Sequence, residues 1–589
     1  MAAAAAETGS RPGTATGSQK EASASQRDVA RSEGGSSSSS DEPEATLHAK
    51  TYLAVLAVCM IYFVQIYNVV GAGALANTIA LTLGDSQYSV WIASSIAIGT
   101  AVLSPIFSQA ADYWGRRWFL VISTLLGAVG SIVVARATSM PMAVAGFTVT
   151  ALSYGAQPLL HAVSSEVLPR KYRSYGQAAD CVSNALGGIV GMLVGGAFVR
   201  TSNVPSQGFR NFWYVATGLY VFAAALCFAL YNPPATERET SFSFGEKLKK
   251  LDWVGYFLLT AGIVLFCIGL SWSENPFPWS DPHTSATFAV GTFLILALIA
   301  YETFAKKDGM FHHGLFQNRN FPIALACLFC EGLAFFGANS YFAFQAGVLY
   351  ESDSVLVGAR YSIAPIVSIP ASLLGGLYLA LTKQVRWLAV SSFLSFVIFF
   401  ALMANTDPST NTATWGYPVF LGAGLGMSLV SLITLAQLST PPELIAIASG
   451  LVIGVRSLGG SVGLAIYNAL FNSAMAKLGD NIAGAVIPMG LPPNMTGPFI
   501  GLLMKHDDAA LAQLPGVTDR IIGAGVGAML GTFSKAFNHV WIAAACFVAL
   551  AALIAVMIKD VSKEFNNHID NPVEKAEELY QVKGAESKA

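Results

Sequence analysis

"SQAADYWGRRWFLV", residues 108–121, sets one aspartate and two arginines between long apolar runs. How that charge is read decides the architecture. The surrounding 589 residues are 54% hydrophobic and 12% charged, against roughly 25% charged in soluble domains. Such a chain belongs in a bilayer. Its net charge of -2 is scattered rather than blocked, so no nucleic-acid partner is expected.

From Thr51 onward apolar runs of about 20 residues recur, each able to cross a ~30 Å hydrocarbon layer at ~1.5 Å per residue. Fourteen spans are expected, beginning near residues 51, 88, 117, 141, 175, 211, 252, 284, 321, 356, 385, 414, 447 and 539. They must be helices, because lipid satisfies no backbone N–H or C=O and the runs lack barrel alternation. With the N-terminus inside, Arg116, Arg117, Arg170, Lys171, Arg173, Lys247, Lys249, Lys250, Lys383 and Arg386 fall in cytoplasmic loops. Outer loops and their borders hold only Arg136, Arg200 and Arg210, so the positive-inside rule places both termini in the cytosol.

The spans group as six, two and six. "GRRWFLV" (115–121) after span 2 has a faint echo in "KQVRWLAV" (383–390) after span 10, as an internal repeat requires. The expected segments are a disordered cytoplasmic tail at 1–47, a six-helix bundle at 48–231, and a linker with two inserted spans at 232–310. A second six-helix bundle follows at 311–558, with a long outer loop at 476–537, and then a cytoplasmic tail at 559–589. The sequon Asn494-Met495-Thr496 in that loop is a candidate glycosylation site. "MAAAAAETGSRPGT" lacks the features of a cleavable signal peptide. All seven cysteines lie in apolar runs, so Cys327 and Cys330 read as buried helix residues rather than a metal or redox pair.

The opening stretch resembles the loop signature of the major facilitator superfamily, G-x-L-x-D-R-x-G-R-K. Asp112, Gly115, Arg116 and Arg117 stand on the expected positions, while Ser108 replaces the first Gly and Tyr113 the Arg. The resemblance implies a cytoplasmic gating latch that bonds the neighbouring half in one state and releases it in the other. "LDWVGYFLLTAGIVLFCIGLSWSENPFPWS" (251–280), "FHHGLFQNRNF" (311–321), "VRSLGGSVGLAIYNALF" (455–471) and "FNNHIDNPVEKAEE" (565–578) look like the fourteen-span fungal trichothecene efflux pump family, close to the siderophore-iron transporters. The match implies an all-α membrane protein with the major facilitator fold: two six-helix bundles plus two inserted helices. It implies a secondary transporter exporting a small organic toxin or secondary metabolite in exchange for protons, working as a monomer. The membrane implied is the fungal plasma membrane, with a vacuolar or vesicle membrane as the alternative. Rival readings are a siderophore-iron:proton symporter and a non-transporting receptor on the same fold.

Two departures concern proton coupling. Span 4 carries Phe147 near the place of the arginine found in many antiporters, and "GGIVGMLVGGAF" (187–198) keeps Gly187, Gly191, Gly195 and Gly196 but lacks the signature proline. Close packing of a small-residue helix face is still expected.

A charge near the bilayer centre costs at least ~2.5–3.5 kcal/mol, so each needs a partner or a task. Glu331, Arg456 and Asp180 are the candidates for a substrate and proton site. Spacings of 4, 3, 4 and 3 put Glu331, Phe335, Ala338, Phe342 and Gln345 on one face of span 9, an acid among aromatics such as a bulky cargo would meet. Glu331 either exchanges a proton or is tied to Arg456 or a backbone carbonyl; Arg456 either meets an anionic cargo group or bridges Glu331 or Asp180. Gly460 and Gly463 should let a neighbour approach the Arg456 helix. Arg360 is expected to snorkel to the outer headgroups, and His161, beside Glu166, to be a packed helix-end residue, with pH sensing as the alternative. Asn68, Gln157, Asn339, Gln345 and Gln437 are candidate polar lining. No nucleotide, zincin or hydrolase motif is present and His312 and His313 point apart, so no cofactor or metal is expected and an ion gradient must supply the energy.

Overall fold

The computed structural model describes residues 47–573, apart from 85–89, 202–204, 236, 273–276, 307–308, 352, 505–509 and 512. All but the last residue of the expected N-terminal tail, and 574–589 of the C-terminal one, lie outside the described residues. The elements are helical: α1 (Ala49–Leu83), α2 (Val90–Trp114), α3 (Arg116–Ala135), α4 (Met140–Tyr154), α5 (Gln157–Glu166), α6 (Arg173–Thr201) and α7 (Pro205–Leu230) come first. Short α8 (Glu237–Ser241) and α9 (Phe244–Lys250) precede the inserted pair α10 (Trp253–Trp272) and α11 (Pro282–Ala300). Then follow α12 (Asn320–Leu349), α13 (Ser354–Thr382), α14 (Val385–Met403), α15 (Pro418–Leu438), α16 (Ile445–Met475), α17 (Leu478–Val486), α18 (Thr496–Met504) and α19 (Asp519–Val556).

Thirteen helices among the described residues are long and apolar enough to cross a membrane. The expected fourth span is the exception, because it is two helices, α4 and α5. Pro158 has no N–H to offer Tyr154, and the chain turns at Gly155 and Ala156 before α5 resumes. The last helix starts at Asp519 rather than near 539. Its Thr518 hydroxyl caps the Ile521 N–H, and the Gly/Ala-rich turns that follow pack on α17, support that hydropathy alone does not register. The expected outer loop 476–537 accordingly shortens to 476–518 and contains α17 and α18.

Within the first group α1 packs on α6 and α7, and α3 on α4 and α7; within the second, α12 packs on α16 and α19, and α15 on α13 and α14. The groups meet chiefly through α6 against α13 and α2 against α16. Those two pairs exchange under the repeat, since α6 and α16 are the fifth spans of their groups, α4 and α5 counting as one, and α2 and α13 the second.

Glycine sets how closely the helices approach. A Cβ at Gly191 would stand 2.8 Å from the Tyr67 carbonyl, and one at Gly187 would collide with that of Phe63, so the small face of α6 lies on α1. On α16, a Cβ at Gly463 would stand 2.6 Å from a Leu333 methyl, and one at Gly460 would enter the Phe336 ring. Gly332 of α12 lies directly beneath the Arg456 carbonyl. Gly332→Val is therefore expected to separate α12 from α16, read as loss of folded, monodisperse protein after detergent extraction; normal yield and melting temperature would contradict it.

The inserted α10 and α11 pack on each other through Gly262, Gly269 and Gly291, and α10 leans on α2 and α16. Tyr256 donates to Gln109 at 2.5 Å. In the connection before them Ser243 and Glu246 form a capping box at α9, and the Ser243 backbone N–H and hydroxyl hold the Glu246 carboxyl below its ordinary value. The described cysteines are free thiols and all but Cys546 are buried.

Candidate functional site

Gly115 begins the site, at the turn between α2 and α3. Its φ of 83° lies in the left-handed region, and a Cβ there would stand 2.8 Å from the Glu239 carboxylate. Arg116, released by this turn, pairs with Asp112 at 3.6 Å and directly with Glu166, which is 2% exposed at the end of α5. Arg117 donates to the Asn232 side chain and the Phe228 carbonyl, each at 2.6 Å, with its guanidinium over the Phe228 ring. These partners lie in the first group of helices or just after it, so in this state the arginines brace their own bundle; the expected latch joins the other half in only one of its states. The repeat explains Arg117. Arg386, its counterpart in "KQVRW", donates to the Ile558 carbonyl at 2.5 Å. Each arginine grips a carbonyl near the C-terminal end of the last helix of its bundle, where the helix dipole favours a cation.

What crosses between bundles at this end includes Gln437, expected only as polar lining, and Arg170 and Arg173, expected only to set topology. Gln437 of α15 takes the Ser165 hydroxyl on its amide oxygen and donates to the His161 carbonyl and to Ser449, each at 3.1 Å. Ser174 donates to the Gly376 carbonyl at 3.0 Å. The chain after α19 then returns across the first bundle: Arg170 N–H donates to His568 at 3.0 Å, Lys171 N–H to Asn566 at 2.8 Å, and Asn571 N–H to Glu166 at 3.1 Å. Asp570, its carboxylate 2% exposed, receives Arg170 at 2.8 Å and contacts Arg173, itself 1% exposed. Beside this strap lies a cavity of about 620 Å³ lined by Asp112, Arg116, Glu166, Glu239, Glu443 and Asp570. Only the pattern "FNNHIDN" could have flagged the strap, and it says nothing of the arginines it meets. Asp570→Asn should weaken closure at this end, seen as faster labelling of a cysteine placed at Ser165, with the helical content kept; unchanged labelling would count against the strap.

At mid-depth the bundles enclose a cavity of about 30 Å³ lined by Ile66, Cys181, Asn184, Phe335, Tyr361 and Arg456 among others. That is room for about one water, whereas organic ligands need ~300–1,000 Å³. Here Arg456 and Glu331 form a two-pronged pair, Nε to Oε2 at 2.5 Å and Nη2 to Oε1 at 3.1 Å, with the guanidinium 4.7 Å from the Phe335 ring centre. Glu331 is wholly buried. The expected acid among aromatics thus has a guanidinium for its partner.

Asp180 belongs to a separate cluster in the first bundle. His161 Nδ1 lies 3.2 Å from its Oδ2, while Ser164 donates to Oδ1 at 2.9 Å and the Cys59 thiol lies 3.7 Å from the same atom. The expected single face of span 9 divides. A 3.5-residue repeat drifts about 20° per heptad against a 3.6-residue helix, so Phe335 stays at the cavity while Phe342 and Gln345 turn into the second bundle. There Gln345 donates to Thr406 at 2.6 Å and accepts from the Trp541 indole at 2.7 Å, and Phe342 packs on Tyr361 and Phe399. Asn339 faces α1 instead, with its amide nitrogen 3.0 Å from where a Cβ at Gly73 would be.

Other sequence candidates also found partners. Arg360 does not snorkel: it is 1% exposed and donates to Thr414 at 2.8 Å and Glu351 at 2.5 Å, with Trp415 stacked beneath it. Loop acceptors around 411–414 give it a polar cage that headgroups would otherwise have to supply. Asn68 donates to Ser131 at 3.1 Å, and Gln157 is buried. Phe147, at the place of the missing arginine, packs edge-on against Trp213. Asn494 is exposed, in a 3-10 turn ahead of α18. His313 Nε2 meets the Glu302 carbonyl at 2.9 Å while His312 Nδ1 accepts from the Gly314 N–H, so the two rings serve different turns.

Two helical bundles related by a repeat, meeting at a small cavity with Arg456 on its wall and Glu331 behind it, define a multi-pass membrane transporter of the two-bundle kind. Residues 55–464 match the model of the Major Facilitator Superfamily, and the chain belongs to that superfamily. Among fungal relatives it is 24% identical over 485 residues to the efflux pump FUS6 of Gibberella fujikuroi, covering 80% of this chain and 85% of that one. It is 28% identical over 433 residues to the acurin A biosynthesis cluster MFS-type transporter of Aspergillus aculeatus, covering 72% and 75%. The fold resembles the human organic anion transporter MFSD10, with a TM-score of 0.51 at 13% identity over 85% of this chain and 99% of that one. It likewise resembles the proton:xylose symporter XylE, with a TM-score of 0.52 at 11% identity over 86% and 95%. The chain is a transporter and not an enzyme.

Proposed function

We propose that this transporter exports a hydrophobic secondary metabolite or toxin across the fungal plasma membrane, exchanging it for protons by alternating access. One observation carries the reading: the cavity between the bundles is walled by apolar and aromatic side chains, with Arg456, held by Glu331, as its charged group. Such a wall suits a largely apolar organic cargo with a polar handle. Relatives named as efflux pumps over most of their length support the direction.

In this reading the end carrying Arg116 is cytoplasmic, and the clustered Lys and Arg around it support that orientation. Asp112, Gly115, Arg116 and Arg117 keep the first bundle rigid at the gate, and Gln437, Ser174 and the Asp570 strap close it. Opening for cargo requires α6 to part from α13, and α2 from α16, since the 30 Å³ space holds no organic molecule. The exposed Asn494 then faces outward and is open to glycosylation.

The test is expression in a yeast strain stripped of its own drug pumps, challenged with a panel of fungal metabolites. Raised tolerance to a subset, lost when a protonophore collapses the gradient, is the expected result. Unchanged tolerance together with new growth on chelated iron would overturn export in favour of uptake.

A further inference from the structure

We infer that the proton-carrying site of this transporter is the buried pair of His161 on α5 and Asp180 on α6. The inference rests on the proton-coupled reading above and moves the coupling group away from Glu331. Both residues have no solvent exposure. The Gln177 amide is oriented by its own donations, to the His161 carbonyl at 3.0 Å and the Ser165 hydroxyl at 2.7 Å, so its oxygen faces the imidazole. His161 Nδ1 stands 2.9 Å from that oxygen and 3.2 Å from the Asp180 carboxylate. An amide oxygen for partner and a carboxylate beside it leave the hydrogen on Nδ1. Nε2 then carries the lone pair, and it is buried with no hydrogen-bond partner.

Charge balance separates the two buried carboxylates. A proton on Glu331 would strand Arg456 as an uncompensated cation inside the protein, a costly state. A proton on His161 Nε2 does the reverse: it turns a buried anion held by Ser164 and Cys59 into an ion pair with an imidazolium 3.2 Å away, while Nδ1–H keeps the Gln177 oxygen as its acceptor. The first bundle thus holds a site that gains electrostatically from taking up one proton from water and returns it unchanged.

The surroundings supply both access and coupling. Facing the pair are Cys59 and Tyr62 from α1, Ser164 from α5, Gln177 and Cys181 from α6 and, across the interface, Gln437 from α15. Cys181, the neighbour of Asp180 in the chain, lines the central cavity together with Arg456. The Tyr62 ring lies edge-on to His161 with centroids 5.1 Å apart, and its hydroxyl accepts from Asn184, which lines the central cavity. The His161 carbonyl itself accepts Gln437 of the other bundle. Protonation therefore changes the residue that holds the closed interface, next to the space the cargo must enter.

The experiment is nitrogen-15 NMR of the full chain, labelled at histidine and reconstituted in bilayers, titrated from about pH 8 to about pH 5, the range in which histidine switches. The expected result is a ring whose Nδ1 stays protonated while Nε2 gains a proton. That signal should vanish in His161→Gln, and in Asp180→Asn it should no longer gain the proton over the wild-type range. A wild-type spectrum in which no such ring titrates overturns the site without reference to any variant, and so does survival of the titrating signal in a folded H161Q protein. The titration needs no cargo. Export that proves indifferent to the proton gradient would sink the coupled reading and leave the site standing, whereas gradient-driven export with a silent ring would sink the site alone.

Discussion

Glu331→Gln is expected to lower stability and stop transport together, while the double variant Glu331→Gln/Arg456→Met regains stability and still does not transport. The single change keeps the shape of the side chain but leaves Arg456 buried opposite a neutral amide, and breaking a buried pair from one side costs about 3–5 kcal/mol. The double change removes both charges and, in other interiors, such replacements are neutral or stabilising. Thermal melting in detergent separates the two outcomes. If E331Q melts like wild type, the two-pronged pair at 2.5 and 3.1 Å does not hold α12 to α16. If the double variant transports normally, Arg456 has no part in the cargo site.

A cysteine pair at Ala178 and Gly376 should lock the transporter. A Cβ at Gly376 would stand 3.1 Å from that of Ala178, a small relaxation short of the ~3.5–4.5 Å spacing of a disulfide. This contact joins α6 to α13, one of the two interfaces that must part. Oxidation of Ala178→Cys/Gly376→Cys is expected to abolish transport, and reduction to restore it, with neither single variant responding. Cross-linked protein that still transports would show that this interface stays closed throughout the cycle and would overturn the proposed opening.

Much of the architecture was legible before any coordinate. Runs of about 20 apolar residues announce spans because bilayer thickness converts directly into residue count. The bracketing charges of "DYWGRRW" and the echo in "KQVRW" announced a repeat, and Arg117 and Arg386 occupy equivalent places in it. Hydropathy is silent where backbone geometry rather than greasiness governs. It gives no sign of the helix break at Gly155 and Pro158 inside the fourth span, nor of the first turns of α19, which rest on α17.

The site was less legible, because helical spacing tells which residues share a face but not what lies opposite. Glu331 and Arg456 were both suspect as intramembrane charges, yet they are 125 positions apart, and their pairing depends on how α12 meets α16 over glycine. Asp180 stands out in the sequence too, but nothing there ties it to His161, which reads as a packed helix-end residue or a pH sensor. Asp570 lies in a polar tail with no mark of burial, until the fold sets Arg170 and Arg173 around it.

By itself, the sequence determined that this chain spans a membrane many times in two repeated groups, because desolvation of backbone and charge is a local cost paid residue by residue. Only the tertiary structure decided which charge compensates which. Electrostatic pairing acts over a few ångströms in space, and no span of this chain carries within itself both members of the buried pairs formed by Glu331 with Arg456 and by His161 with Asp180.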